Sequence, residues 1–233
     1  MSGVVQNQPF NKFGGGTLQF AGGANNTFGA GGIVWQGVLE LNKTAAINAI
    51  PNAITIGDYV GTPGADVVRL IQANQIVDTL ALTLNPTGLL DLNNVSESFL
   101  PTAATNSLTL NIGPLSSSMV TTGTGTLTLG SSGAVASNVV VNQGLPGGAP
   151  TPVSISGNVV ISAGAAQTIT VNDGTGIQDL VMPATLTGAQ AVTKAGSGRM
   201  VLSGSNAGAG AGTRQGTTVS SSSMYWSAWV SKE

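Results

Sequence analysis

Short runs in which every second residue is apolar recur along the chain, each bounded by glycine or asparagine. Thr17-Leu18-Gln19-Phe20, Val38-Leu39-Glu40-Leu41, Ala53-Ile54-Thr55-Ile56 and Leu80-Ala81-Leu82-Thr83-Leu84 open the series. Leu89-Leu90-Asp91-Leu92, Leu108-Thr109-Leu110-Asn111-Ile112 and Thr126-Leu127-Thr128-Leu129 continue it. Val139-Val140-Val141, Val159-Val160-Ile161, Thr168-Ile169-Thr170-Val171 and Met200-Val201-Leu202 complete it. Residues i and i+2 of a strand share a face. Each run therefore predicts a short strand with one apolar face and one face of Thr, Gln, Glu or Asp. Helical spacing is nearly absent. Residues 65–78, with Val67, Val68, Ile71, Gln75 and Val77, fit either a short helix or a broken strand.

The predicted fold is all-β, a single-stranded right-handed parallel β-helix (β-solenoid), with an antiparallel β-sandwich as the alternative. The runs are shorter than typical sandwich strands of roughly 5–6 residues. The turns combine Gly with Asn, Ser or Thr, as in Gly22-Gly23-Ala24-Asn25-Asn26, and carry few two-residue hairpin signals. Residues 1–233 read as one elongated domain. Asn25-Asn26 and Asn93-Asn94 are open to two readings, stacked amide ladders or left-handed turns. The segment 143–152 holds three prolines and three glycines and cannot lie inside a paired strand, so it reads as a projecting loop. Residues 204–212, mostly Gly and Ala, read as a low-complexity turn.

Composition narrows the partners. Only 7% of residues are charged, against roughly a quarter in an ordinary soluble domain. Aromatics stand at 4%, so Val, Leu, Ile and Ala supply the core, and the solvated side must rely on hydroxyls and amides. Seven basic residues cannot neutralise many phosphates, so no nucleic acid partner is expected. No apolar run approaches the roughly 18 residues of a membrane span, and no basic amphipathic stretch exists, so no membrane insertion is expected. Residues 1–7 lack a basic and an apolar region, so no signal peptide is expected. The chain is then a piece of a longer exported protein, or leaves the cell by another route, or stays inside.

Two stretches near the ends repeat one pattern: Lys12-Phe13-Gly14-Gly15-Gly16-Thr17-Leu18-Gln19-Phe20-Ala21-Gly22 and Lys194-Ala195-Gly196-Ser197-Gly198-Arg199-Met200-Val201-Leu202-Ser203-Gly204. Self-similarity among short strands is the mark of stacked β repeats. The second copy, followed by Ser205-Asn206 and then Gly216-Thr217-Thr218-Val219, resembles the autotransporter-associated β-strand repeat. The first, with Asn26-Thr27-Phe28-Gly29 and Val38-Leu39-Glu40-Leu41-Asn42, is similar to the same pattern, so the repeat motifs span 12–41 and 194–219. Phe28 supplies the usual aromatic in one copy, which the other lacks; Arg199 and Met200 replace the usual small residue and leucine. The resemblance implies a passenger region of a large secreted or surface-exposed bacterial protein, folded as a right-handed parallel β-helix. It further implies an extracellular or cell-surface location and a scaffolding or adhesive role.

Candidate chemistry is sparse. With no Cys and no His, disulfide frameworks, thiolate zinc sites and Ser-His or Cys-His nucleophiles are excluded. A Ser-Lys pair stays formally open through Lys12, Lys43, Lys194 and Lys232, but no nucleophile-elbow pattern accompanies it. A polysaccharide-cleaving β-helix needs acidic pairs, or calcium with a basic residue, along one groove. Asp58, Asp66, Asp78, Asp91, Glu97, Asp173 and Asp179 are the available acids, and Asp66, Arg69 and Asp78 could meet on neighbouring coils. The alternative reading is an ion pair or solvated turn carboxylates. No Gly-Gly-x-Gly-x-Asp array for calcium occurs. The glycine runs at 29–32, 123–130 and 208–212 lack the following helix that a phosphate loop requires. The threonines of 121–128 read as outward strand residues, because their spacing does not recur as an ice-ordering face would require. No cofactor is expected.

Partner contacts are expected at two places. The loop 143–152 offers Leu145 and Pro146 to a glycan or matrix protein. The segment 224–233 holds Tyr225, Trp226 and Trp229 and reads either as a cap on the last coil or as anchors on a neighbouring copy, giving filaments. The expected function is a non-catalytic structural or adhesive module of a bacterial surface or extracellular protein. The alternative is a β-helix that binds or cleaves polysaccharide.

Overall fold

The computed structural model describes residues 3–102, 106–131, 137–145, 151–162, 167–188, 190, 192–208, 218–219 and 224–226. Among these residues there is no helix. The first of two sheets stacks β1 (Asn11–Lys12), β3 (Gly32–Val34), β5 (Ile54–Ile56), β7 (Leu82–Leu84), β10 (Asn106–Ile112), β12 (Ser137–Gln143), β14 (Gln167–Val171), β17 (Val192–Ala195) and β20 (Thr218–Val219) in that order. The second stacks β2 (Thr17–Gly22), β4 (Gly37–Lys43), β6 (Asp66–Leu70), β8 (Gly88–Asp91), β11 (Met119–Leu129), β13 (Val153–Ile161), β15 (Leu180–Met182), β18 (Met200–Leu202) and β21 (Met224–Trp226). β9 (Glu97–Phe99) pairs with the far half of β11, β16 (Thr185–Gly188) with the far half of β13, and β19 (Asn206–Gly208) with β16.

The chain thus crosses back and forth, laying one strand in each of these two stacks per pass, with β9, β16 and β19 added beside the second. Neighbours within a sheet are joined by a long connection and run parallel in every described strand pairing. The exception outside the named strands is an isolated antiparallel bridge between Ile112 and Ser117. An antiparallel sandwich would need hairpins between sequential neighbours, and the described strands are not connected that way. Residues 66–70 are a strand, which decides between the two readings of 65–78. β11 and β13 reach 11 and 9 residues, longer than the runs suggested, because each bends midway and pairs with two different strands. Gly123 and Gly157, at the bends, have φ of 60° and 96°.

Alternation decides what is buried. Ile54, Leu82, Leu108, Val139 and Ile169 stack in register in the first sheet, beside Val34, Ile56, Leu84, Leu110, Val141 and Val171. Leu39, Val68, Leu90, Val120 and Ile155 stack opposite them in the second. All these side chains belong to one continuous core. Burying each such aliphatic side chain is worth about 1.5–3 kcal/mol, and no large aromatic core is needed. Phe99 joins this core from β9, and three other phenylalanines gather at the N-terminal end: Phe10 meets Phe20 edge-on at 4.9 Å, and Phe28 completes the cluster.

Candidate functional site

Charged residues inside the fold are held by backbone. Lys12, on β1, is nearly buried, and its Nζ donates to the carbonyls of Gly14 and Gln36, each at 2.6 Å. Lys194, on β17, is fully buried and donates to the carbonyl of Gly196. Both copies of the repeated pattern therefore do one thing: the lysine turns inward and holds the carbonyl two residues on, where the chain leaves the first sheet. Lys43 donates to Ala24 O at 2.7 Å and lies within 3.4 Å of Ala21 O and Gly3 O. Burial lowers the pKa of all three lysines, opposed by Asp66 at Lys12 and by Asp179 and Asp173 at Lys194. A buried ammonium persists where carbonyls replace its water. These are corner fastenings.

Glu97 is the most perturbed acid. It is fully buried, and burial pushes its pKa up to about 7. Gln75 N and Ile76 N donate to Oε2 at 2.8 and 3.1 Å, and Ser98 N to Oε1 at 3.0 Å, while Gln75 Oε1 accepts from Lys43 N at 2.9 Å. Lys43, Gln75 and Glu97 thereby link three successive passes through one interior corner. Its carboxyl oxygens are occupied by backbone donors, so Glu97 reads as a fastening too.

Asp66, Arg69 and Asp78, which could have met on neighbouring coils, form no common group. Asp66 and Arg69 stand on opposite faces of β6, because their separation of three positions is odd. Asp66 is buried and accepts from Thr87 Oγ1, which in turn accepts from Asp58 N at 2.8 Å. Burial raises the Asp66 pKa, with Thr87 opposing and Asp58 adding to the rise. Arg69 faces out and pairs with Asp91, its register partner, at 2.8 Å. Asp78 is half-buried, with its pKa raised by burial, and belongs to neither group. Asp179 accepts from Gly174 N and Arg199 N at 2.9 and 2.7 Å. Among the described residues no three acids are grouped to hold a metal ion.

The two asparagine pairs behave unlike a ladder. Asn93 and Asn94 have φ of 47° and 69°, the left-handed turn reading, and Asn94 Oδ1 accepts from Thr124 N at 2.9 Å. Asn26 is buried, accepting from Val5 N and donating to Ala49 O, and Asn25 accepts from Asn48 N. Side-chain amides do stack elsewhere. Asn111 Nδ2 donates to Asn85 Oδ1 at 3.0 Å, and Asn172 Nδ2 donates to Asn142 Oδ1 at 2.8 Å. Asn111 and Asn142 are register partners. The four form one outward column at the edge of the first sheet, and Asn85 Nδ2 continues it to Gly57 O at 3.0 Å. The sequence carries the signal as four runs of apolar-x-apolar-Asn: Leu82-Thr83-Leu84-Asn85, Leu108-Thr109-Leu110-Asn111, Val139-Val140-Val141-Asn142 and Ile169-Thr170-Val171-Asn172.

At the N-terminal end of the same edge, Phe13 and Trp35 lie parallel, ring centroids 6.0 Å apart and planes 7° apart. Beyond the column lie the turns from first sheet to second. Besides Val4, the large apolar side chains left exposed among the described residues are Phe13, Tyr59, Val60, Leu115, Leu145 and Ile177. All six sit on those turns, so amides and apolar groups share one border of the molecule. Leu145, expected as a contact from the loop 143–152, is 47% exposed and belongs to this border. Pro146 and Trp229 lie outside the described residues. Tyr225 and Trp226 are described as backbone of β21, in register with Val201 and Leu202. Compared with known proteins, the chain matches no family model, no curated protein and no solved structure.

Proposed function

We propose that the chain is a non-catalytic scaffold: a closed, single-stranded, right-handed parallel β-solenoid serving a bacterial surface or extracellular protein of the passenger type. The observation that carries the reading is the return of the chain, pass after pass, to the same two parallel ladders around one aliphatic core. A chain that returns to the same ladder after each pass is winding, and parallel crossovers wind right-handedly in about 98% of cases. The third line of pairs, β9 with β11 and β13 with β16 and β19, supports closure of the side between the two sheets. The matching lysine fastenings at Lys12 and Lys194 support kinship with the autotransporter-associated repeat. Mechanically, backbone hydrogen bonds run along the stacking direction, and hydroxyls and amides keep the outside wetted without charge.

Nine strands in the first ladder at about 4.8 Å each give a body about 40 Å long. Small-angle scattering is expected to fit a filled cylinder of that length, and a flat open slab would overturn the winding. An antibody to the chain is expected to label intact cells of the source without permeabilisation; labelling confined to permeabilised cells would overturn the surface location. No reducing ends should be released from polysaccharides. Release abolished by Asp66→Asn would establish the cleaving alternative.

A further inference from the structure

We propose that the outer edge of the first sheet binds a neutral polysaccharide strand lying along the stacking direction, with Asn111 and Asn142 as the central contact. The inference rests on the scaffold reading above and names what that scaffold holds. Each asparagine amide offers two N–H donors and two acceptor lone pairs. The column uses these internally at Gly57–Asn85, Asn85–Asn111 and Asn142–Asn172. Between Asn111 and Asn142 the register continues, yet no amide–amide bond joins them among those described. The open step leaves Asn111 Oδ1 as an acceptor and Asn142 Nδ2 as a donor on neighbouring, in-register strands. A sugar hydroxyl donates and accepts through one atom, so it can complete that step; a charged group supplies only one half.

The surroundings fit the same chemistry. Sugars present hydroxyls at their edges and C–H groups on their faces, so a binding edge needs amides beside apolar surface. Each of the last three amides is followed, within its turn, by an exposed aliphatic side chain: Asn111 by Leu115, Asn142 by Leu145 and Asn172 by Ile177. Leu115 and Ile177 are 77% and 83% exposed. Trp35 and Phe13 give an aromatic platform at the end of the line, suited to the apolar face of a ring. Of the neighbouring outward positions, Thr55, Thr83, Thr109 and Thr170 carry hydroxyls, with the aliphatic Val140 between the last two. Outward positions of the described first-sheet strands carry no ionisable side chain, and the carboxylates in adjoining turns, Asp58 and Asp173, disfavour acidic polymers.

Affinity electrophoresis in gels cast with soluble neutral polymers (β-glucan, xylan, mannan, dextran) or acidic ones (pectate, alginate) tests this. At least one neutral polymer should retard the protein, and Asn111→Ala/Asn142→Ala should raise its apparent Kd at least tenfold. Leu115→Ser/Ile177→Ser, exposed changes that leave the core intact, should also weaken retardation. Thr121→Ala, on the second sheet, should leave it unchanged. Retardation by acidic polymers alone, by none, or equally in all variants would overturn the proposal. A Thr83→Cys/Thr109→Cys pair in this cysteine-free chain, oxidised with copper phenanthroline, separates the two failures. A disulfide formed without any retardation leaves the scaffold standing and removes the ligand; no disulfide removes the stacking itself.

Discussion

A carboxyl group taken out of water keeps its proton to higher pH unless donors hold the ionised form. At Glu97 three backbone amides do so in part, and burial still leaves the pKa near 7 against 4.5 in an open chain. Between those values the folded protein holds a proton that the unfolded chain has released. Stability therefore falls as pH rises through this window, by roughly 3 kcal/mol at about 1.4 kcal/mol per unit. Denaturant unfolding from pH 4.5 to 7.5 should record that fall, and Glu97→Gln should flatten it. Gly57 presents a different constraint. Its φ is +82°, and an added Cβ would lie 2.7 Å from the Cα of Gly88. Gly57→Ala should lower stability by more than about 1 kcal/mol, read from the same curves.

The strands are where sequence and structure agree most closely. Alternation in Leu82-Thr83-Leu84 and Leu108-Thr109-Leu110 assigned the faces, because burial on one side of a sheet leaves no other register. Leu110 stacks between Leu84 and Val141, so Leu110→Ala should cost about 2–5 kcal/mol through the cavity it leaves, measured by thermal or urea unfolding. The amide column is present in the letters without a fixed period, since Asn85 and Asn111 are 26 residues apart and Asn142 and Asn172 are 30. Unequal turns destroy a fixed period while preserving register. Of the two readings open for Asp66, Arg69 and Asp78, the ion pair is the one found at Arg69, and its partner Asp91 comes from the next pass, which spacing within one strand does not reveal. The exposed turns were invisible until the strands around them were placed.

On the scale of the whole molecule, each strand touches the strands before and after it and few others. Stability in such a stack is close to a sum of neighbour terms, so the ends should open more readily than the middle. Hydrogen exchange followed by mass spectrometry should find the slowest amides in β10, β11, β12 and β13. It should find faster exchange in β1 and β3, despite the phenylalanine cluster beside them. Uniform protection from β1 to β18 would mean one all-or-none unit instead.

The turns leading from first sheet to second differ widely, from Trp35-Gln36 between β3 and β4 to residues 57–65 between β5 and β6, with the strands on either side in step. Doubling the length of a flexible loop costs only about 0.6 kcal/mol in closure entropy. A foreign peptide spliced after Leu115 should thus be carried without disturbing the frame, making the protein a rigid mount for epitope display.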